Sequence, residues 1–230
     1  MNHPFAITNP GLFQSHYLGE VVSVEDRQNL SRVQVRLFSF DGPADQDGPI
    51  WARVALPFAG ADRGAFLLPD VGDEVLVAFV HGDSRHPVVI GGLWNGAAAP
   101  PEQLGGQGNR VDRWSLVGKA GTRIAIVEET AATASISLET PGGASAILTD
   151  QGGGKVEIRA AGNTITIDSS GVAIQAAAKV SVQASQVEVS AGQVSVNAAM
   201  SSFSGVVRCD VLQATTVIST TYTPGAGNIW

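Results

Sequence analysis

One cysteine, Cys209, stands among 230 residues. A disulfide within the chain and a cysteine-built metal cluster are therefore excluded. Nothing around Cys209 in the sequence would lower a thiol pKa, so it reads as a small buried residue rather than a reactive nucleophile. Positive charge is also scarce: 14 Lys and Arg face 21 Asp and Glu, for a formal net charge of -7. Nucleic acid calls for a basic face and an anionic membrane for a polybasic cluster, and the chain has neither. No run approaches the roughly 18 apolar residues of a membrane helix. The N-terminus lacks the charged-then-apolar order of a secretion signal. The expectation is a protein made in the cytoplasm without a signal peptide.

Aromatic residues are missing from most of the second half. Between Ser115 and Thr221 only Phe203 is aromatic. Globular cores usually rely on such rings, so this half must be built differently from the first. What it contains is a repeat. Val180 and Val182, Val187 and Val189, and Val194 and Val196 recur seven residues apart. Looser copies precede them at Ile124 and Ile126, Ile136 and Leu138, Val156 and Ile158, Ile165 and Ile167, and Val172 and Ile174. A coiled coil also has a period of seven, but its apolar positions are three and four apart. Here they are two and five apart, which scatters them round a helix and gathers them on one face of a strand. The residues are mostly β-branched, with Gly, Ser, Asn and Ala between them, as in short strands joined by tight corners.

A single layer of such strands buries little and leaves exposed edges. Three chains wound about one axis would turn the aliphatic pairs inward and pair the edges, giving a homotrimeric β-prism. A single-chain β-helix is the competitor, but its coils take about 20 or more residues. The inward set is then Val156, Ile158, Ile165, Ile167, Val172, Ile174, Val180, Val182, Val187, Val189, Val194 and Val196.

The first half alternates apolar and polar residues over five short runs: 18–26, 31–40, 50–58, 74–82 and 86–94. They are separated by turn-rich segments, with no helix of consequence. Five short strands are the count of a small closed barrel of the oligonucleotide/oligosaccharide-binding (OB) type. Acidic residues outnumber basic ones before Lys119, so nucleic-acid binding by such a barrel is not expected. The expected organisation is an arm over 1–17, a barrel over 18–96, a Gly-, Pro- and Ala-rich linker over 97–118, and the repeat over 119–230. The fold class is all-β: an N-terminal five-stranded OB-fold barrel, then a C-terminal intertwined trimeric β-helix (β-prism) needle.

Three polar clusters invite a chemical reading and support a structural one. His81, Asp83, Arg85 and His86 surround a Gly82-Asp83 hairpin signal. Asp70, Asp73 and Glu74 fit a solvated turn, with Gly72 free to take positive φ. Gly152, Gly153 and Gly154 are not followed by the Lys-Ser/Thr of a phosphate loop and read as a corner.

The motifs also match a family. "WARVA" runs from Trp51 to Ala55, "LLPDVGDEVLVAF" from Leu67 to Phe79, and "HGDSRHPVVIGGLWN" from His81 to Asn95. Upstream lie "GEVVSVED" and "RVQVR". Residues 17–96 resemble the barrel of the central spike proteins of contractile phage tails. That family takes in baseplate assembly protein V and the valine-glycine-repeat (VgrG-type) spikes of type VI secretion and other contractile injection systems. The resemblance implies a non-enzymatic homotrimer in a virion tail baseplate or extracellular contractile particle. It would cap the tail tube through a separate hub protein and pierce a target cell envelope when the sheath contracts. It implies hub docking through Phe5, Ile7, Phe13 and Tyr17. It also implies a proline-alanine-alanine-arginine (PAAR) type tip protein meeting Tyr222, Ile229 and Trp230. Some relatives carry a lysozyme domain or a His-x-His iron site at the tip. Here only a short linker follows the barrel, and His3, His16, His81 and His86 all precede residue 90. No cofactor or metal is expected. Two other readings stay open: a glycan-binding fibre or adhesin, and a β-helix polysaccharide-degrading enzyme. The enzyme would need clustered charge along the repeats, yet beyond residue 160 the only charged side chains are Asp168, Lys179, Glu188, Arg208 and Asp210.

Overall fold

The computed structural model describes residues 15–40, 48–106 and 108–221. The chain divides into two units, one reaching to Lys179 and one beginning at Val180. Among the described residues no helix is long and apolar enough to cross a membrane.

The first unit opens with a barrel. Its strands are β1 (Tyr17–Ser23), β2 (Val33–Leu37), β3 (Ile50–Val54), β6 (Glu74–Phe79) and β7 (Pro87–Leu93), closed in the order β1-β2-β3-β7-β6. They fall within the five runs read from the sequence except at Tyr17, which opens β1 from inside the expected arm. The β3–β7 pair is parallel and the other four are antiparallel. Alternation decides which residues face in: Val33 and Val35 of β2, and Val75, Val77 and Phe79 of β6, join Val21, Ala52 and Val89 in the core. β-Branched side chains suit this small pleated interior.

Two glycines fix the barrel's geometry. A Cβ on Gly19 would lie 2.7 Å from the Arg36 carbonyl oxygen and 2.7 Å from Val35 Cγ1, so β1 can approach β2 only without a side chain there. Gly72 takes φ +91° in the turn before β6 and donates its N–H to the Val21 carbonyl at 2.9 Å. The β6–β7 ladder slips between Leu76, opposite Gly91, and Val77, opposite Val89. Ile90 is the extra residue of the resulting bulge. The connection after β3, read from sequence as plain loop, contains a two-residue ladder, β4 (Ala59–Gly60) with β5 (Arg63–Gly64). Strands this short leave no periodic trace.

A second sheet follows. Its strands are β8 (Arg113–Val117), β9 (Arg123–Val127), β10 (Ser135–Glu139), β11 (Ser145–Thr149), β12 (Lys155–Ala160), β13 (Asn163–Asp168) and β14 (Gly171–Gln175). They pair antiparallel in chain order. The β12–β13 turn is the two residues Ala161 and Gly162, both at positive φ (48° and 79°), as a type I′ hairpin requires. The first strand lies inside the segment expected to be linker. These strands hydrogen-bond within one chain, so strand exchange between chains, the entwining expected from sequence, is not the arrangement from Arg113 to Gln175. In the second unit no strand forms among the described residues 180–221.

Gly19→Ala should lower the apparent melting temperature of the barrel by roughly 5 °C or more. Gly91→Ala, whose Cβ would meet nothing within 4 Å, should leave it unchanged in the same thermal melt.

Candidate trimer interface

Strand register sorts the side chains of the second sheet onto two unlike faces. Trp114, Ile126, Ile136, Leu148, Val156, Ile167 and Val172 are successive cross-strand partners. So are Leu116, Ile124, Leu138, Ala146, Ile158, Ile165 and Ile174. Two apolar columns therefore run unbroken across all seven strands of one face. Apart from Ala146 and Val156, which are half-buried, the column residues are far from buried: exposure runs from 38% at Ile165 to 67% at Val172. A soluble single chain rarely shows water a contiguous apolar surface above a few hundred Å².

The opposite face is polar and already covered at its start. Glu102 reaches over it and pairs with Arg123, Oε1 to Nε at 2.8 Å. Arg123 also donates to Ser137 Oγ at 2.8 Å and pairs with Glu139 at 3.3 Å. Asp112, 1% exposed, accepts the Gly105 N–H at 3.0 Å, the Gly106 N–H, and Arg113 Nε at 3.0 Å. Arg113 in turn meets Glu129. Ala125 and Ser137 are buried beneath this cover. Lys119 pairs with Asp70 and ties the β8–β9 turn to the barrel. Farther along, Glu157 bridges Lys155 at 2.6 Å and Arg159 at 2.8 Å. Glu102 and Asp112 thus clamp the segment before β8, while Trp94, Pro100, Leu104 and Val111 line a cavity with Trp114, Leu116, Ile124 and Ile126 at the start of the aliphatic side.

These contacts set the charge states. Arg123, and then the Ser115 hydroxyl, hold the Glu102 carboxyl below the ordinary range. Arg113 does the same for Asp112, helped by the Gly106 and Gly105 amides.

The second unit presents its aliphatic residues differently. Val180, Val182, Val187, Val189, Val194 and Val196 are all exposed, by 59–73%. The first of each pair is the less exposed: 59, 62 and 63% against 73, 70 and 73%. The chain bends at Ala178, Ser185, Gly192 and Ala199, seven residues apart. The repeat in the sequence is therefore a repeat in conformation.

Of the expected trimer-core residues, Val156, Ile158, Ile165, Ile167, Val172 and Ile174 come together on the open face of the sheet, and the six valines from Val180 to Val196 lie in the second unit. Sequence reasoning missed Trp114, Leu116, Ala146 and Leu148 as members of the same columns. The apolar-x-apolar spacing of Trp114 and Leu116 was the available signal, hidden by the Gly-rich stretch before it. Tyr17 is the first residue of β1 and packs edge-on against Phe79, ring centres 5.6 Å apart. Phe5, Ile7, Phe13, Tyr222, Ile229 and Trp230 lie outside the described residues. The polar clusters are turns. Asp83 holds Arg85 at 2.6 Å between β6 and β7, Asp73 accepts the Asp70 N–H at 2.8 Å, and Gly152–Gly154 link β11 to β12. Trp51 lies under Arg32, 5.5 Å from ring centre to guanidinium carbon, while Trp94 is 69% exposed. Among the described residues no three His, Cys, Asp or Glu are grouped to hold a metal ion.

The described residues thus form a closed five-stranded barrel followed by a seven-stranded sheet with one exposed aliphatic face. Residues 17–94 match the type VI secretion system/phage-baseplate injector OB domain, and residues 135–200 match the phage baseplate V C-terminal trimerisation domain. The two matches together take in more than half of the 230 residues, and the chain belongs to the phage baseplate V family. Curated relatives are type VI secretion system spike proteins. VgrG4b of Pseudomonas aeruginosa is 38% identical over 79 residues, 34% of this chain and 10% of that protein. VgrG5 of the same organism is 40% identical over 75 residues, 32% of this chain and 9% of that protein. VgrG3 of Vibrio cholerae is 33% identical over 78 residues, 33% of this chain and 8% of that protein. The chain spans about a tenth of the length of these relatives.

The clamp should be acid-labile. A carboxyl whose folded-state pKa is depressed contributes its stability above the ordinary carboxylate range and loses it as pH falls through the depressed value. The Gly105 and Gly106 amides should therefore be protected from hydrogen exchange at neutral pH and keep that protection until pH falls below the ordinary carboxylate range, where it is lost. Asp112→Asn should weaken their protection at neutral pH and abolish the acid step.

Proposed function

We propose that three copies of this chain form a structural spike of a contractile injection machine. The observation that carries the reading is the pair of unbroken aliphatic columns, most of it within the stretch that matches a trimerisation domain. Three such faces meeting on one axis would remove the columns from water, at about 25 cal/mol per Å² of apolar surface. Beyond Gln175 the repeat would close differently. Its extended segments have no strand partner in their own chain, and backbone N–H and C=O groups that become buried need one. Segments of the other two chains would supply it, giving an intertwined β-helix through Val180, Val182, Val187, Val189, Val194 and Val196.

In this reading the spike is not an enzyme. The barrel end would sit against a separate hub protein beneath the tail tube, with Phe5, Ile7 and Phe13 as docking residues. The far end would receive a PAAR-type tip through Tyr222, Ile229 and Trp230. Sheath contraction would drive the assembly through a target envelope, and stiffness would come from main-chain pairing and interlocked Val, Ile and Leu side chains. Unwinding three entwined chains requires breaking many contacts together, so persistence would be kinetic.

Sedimentation equilibrium should give three times the chain mass of 23.7 kDa, and a single-chain mass would refute the proposal. Ile136→Asp combined with Ile165→Asp puts a carboxylate in each column. It should shift the assembly to single chains in the same measurement, whereas Thr166→Asp, on the other face of β13, should not.

A further inference from the structure

The second unit changes its period partway along. After the bends at Ala178, Ser185, Gly192 and Ala199, the next fall at Ser204–Gly205, Asp210, Thr215 and Thr220. The spacing drops from seven residues to five. In the seven-residue levels the aliphatic pair occupies the second and fourth positions after each bend, as at Val187 and Val189 after Ser185. Counting the same way from Gly205, Asp210 and Thr215 gives Val207 and Cys209, Leu212 and Ala214, and Val217 and Ser219. Exposure in the single chain follows this count. Val207, Leu212 and Val217 are 60, 73 and 60% exposed, while their neighbours Val206, Val211 and Ile218 are 98, 83 and 96% exposed.

Building on the trimeric reading above, we infer that the shaft narrows beyond Gly205 and that its inner lining continues through these second and fourth positions, covered by the same residues of two further copies of this chain. Two residues are lost from each side of the prism, and at about 3.3 Å per extended residue each side shortens by roughly 7 Å. A narrower interior has less room, and the side chains change to match. Valine holds the fourth position at Val182, Val189 and Val196, Phe203 holds it after the bend at Ala199, and Cys209, Ala214 and Ser219 hold it in the narrow levels beyond Gly205. Bend spacing and side-chain volume are separate observations, and both point to a taper. The chain's single cysteine then lies inside, facing its two counterparts.

Cys209 is therefore a native reporter, because no other thiol competes with it. The full-length protein is treated with N-ethylmaleimide, its sedimentation mass being checked on the same sample. Cys209 should react at least roughly 100-fold more slowly in the native trimer than after unfolding in guanidinium chloride. In a Cys209→Ser background, Val206→Cys places the thiol at an outward position and should react in the native trimer as fast as in the unfolded chain. A trimer in which Cys209 reacts freely, or in which the Val206→Cys thiol is the protected one, overturns the narrowed lining while leaving the trimer intact. A sample that sediments as one chain removes the trimeric reading and this inference together.

Discussion

An aliphatic surface that its own chain cannot bury governs this structure. The barrel satisfies itself: Val21, Val33, Val35, Val75 and Val77 are wholly removed from water within one copy. The second sheet does the opposite. Its hydrogen bonds are complete except at the two edges, yet Ile124, Ile126, Ile136 and Leu138 remain at 41–49% exposure. A sheet with one solvated face is ordinary when that face is polar. Here the polar face carries the ion pairs of Glu102, Asp112, Arg113 and Arg123, and most of the apolar face stays exposed. Local structure is thus settled inside the chain, and burial is deferred to association.

The second unit defers more. From Val180 to Thr221 the single chain supplies neither burial nor strand pairing. The two stretches therefore make different demands on assembly. The β8–β14 sheet is paired within one copy, whereas in the proposed trimer the later repeat would gain its partners only when the copies meet. The Arg123–Glu102 and Arg113–Asp112 pairs belong to the first stretch. They hold Glu102 and Asp112 against the polar side of the sheet.

Much of this was legible in the sequence where alternation is strict. The five barrel strands, the turns at Gly72 and Asp83 and the corner at Gly152–Gly154 follow from period-two patterning and turn chemistry. The common face of Val156, Ile158, Ile165, Ile167, Val172 and Ile174 was legible for the same reason. Pairing partners were not. An apolar pair two residues apart looks the same whether its strand bonds to the next strand of its own chain or to another chain, so entwining was read too early, across Ile124 to Ile174. Trp114 and Leu116 escaped because the preceding Gly- and Pro-rich run suggested a linker, whereas those residues lead into a clamp made by Glu102 and Asp112. Charge pairing across such distances in sequence leaves no local pattern. The five-residue spacing after Gly205 escaped because Val206 and Val207 are adjacent, which masks alternation.

The antiparallel register of β8 to β14 restricts how this sheet can vary in length. Deleting one residue from a strand would turn its remaining aliphatic members to the wrong side. Deleting one whole strand would reverse the direction of everything downstream. Losing or duplicating a complete hairpin does neither, since the columns close up and the chain leaves in its original direction. The sheet is in effect a ruler graduated in hairpins, and relatives with longer or shorter shafts should differ by whole graduations.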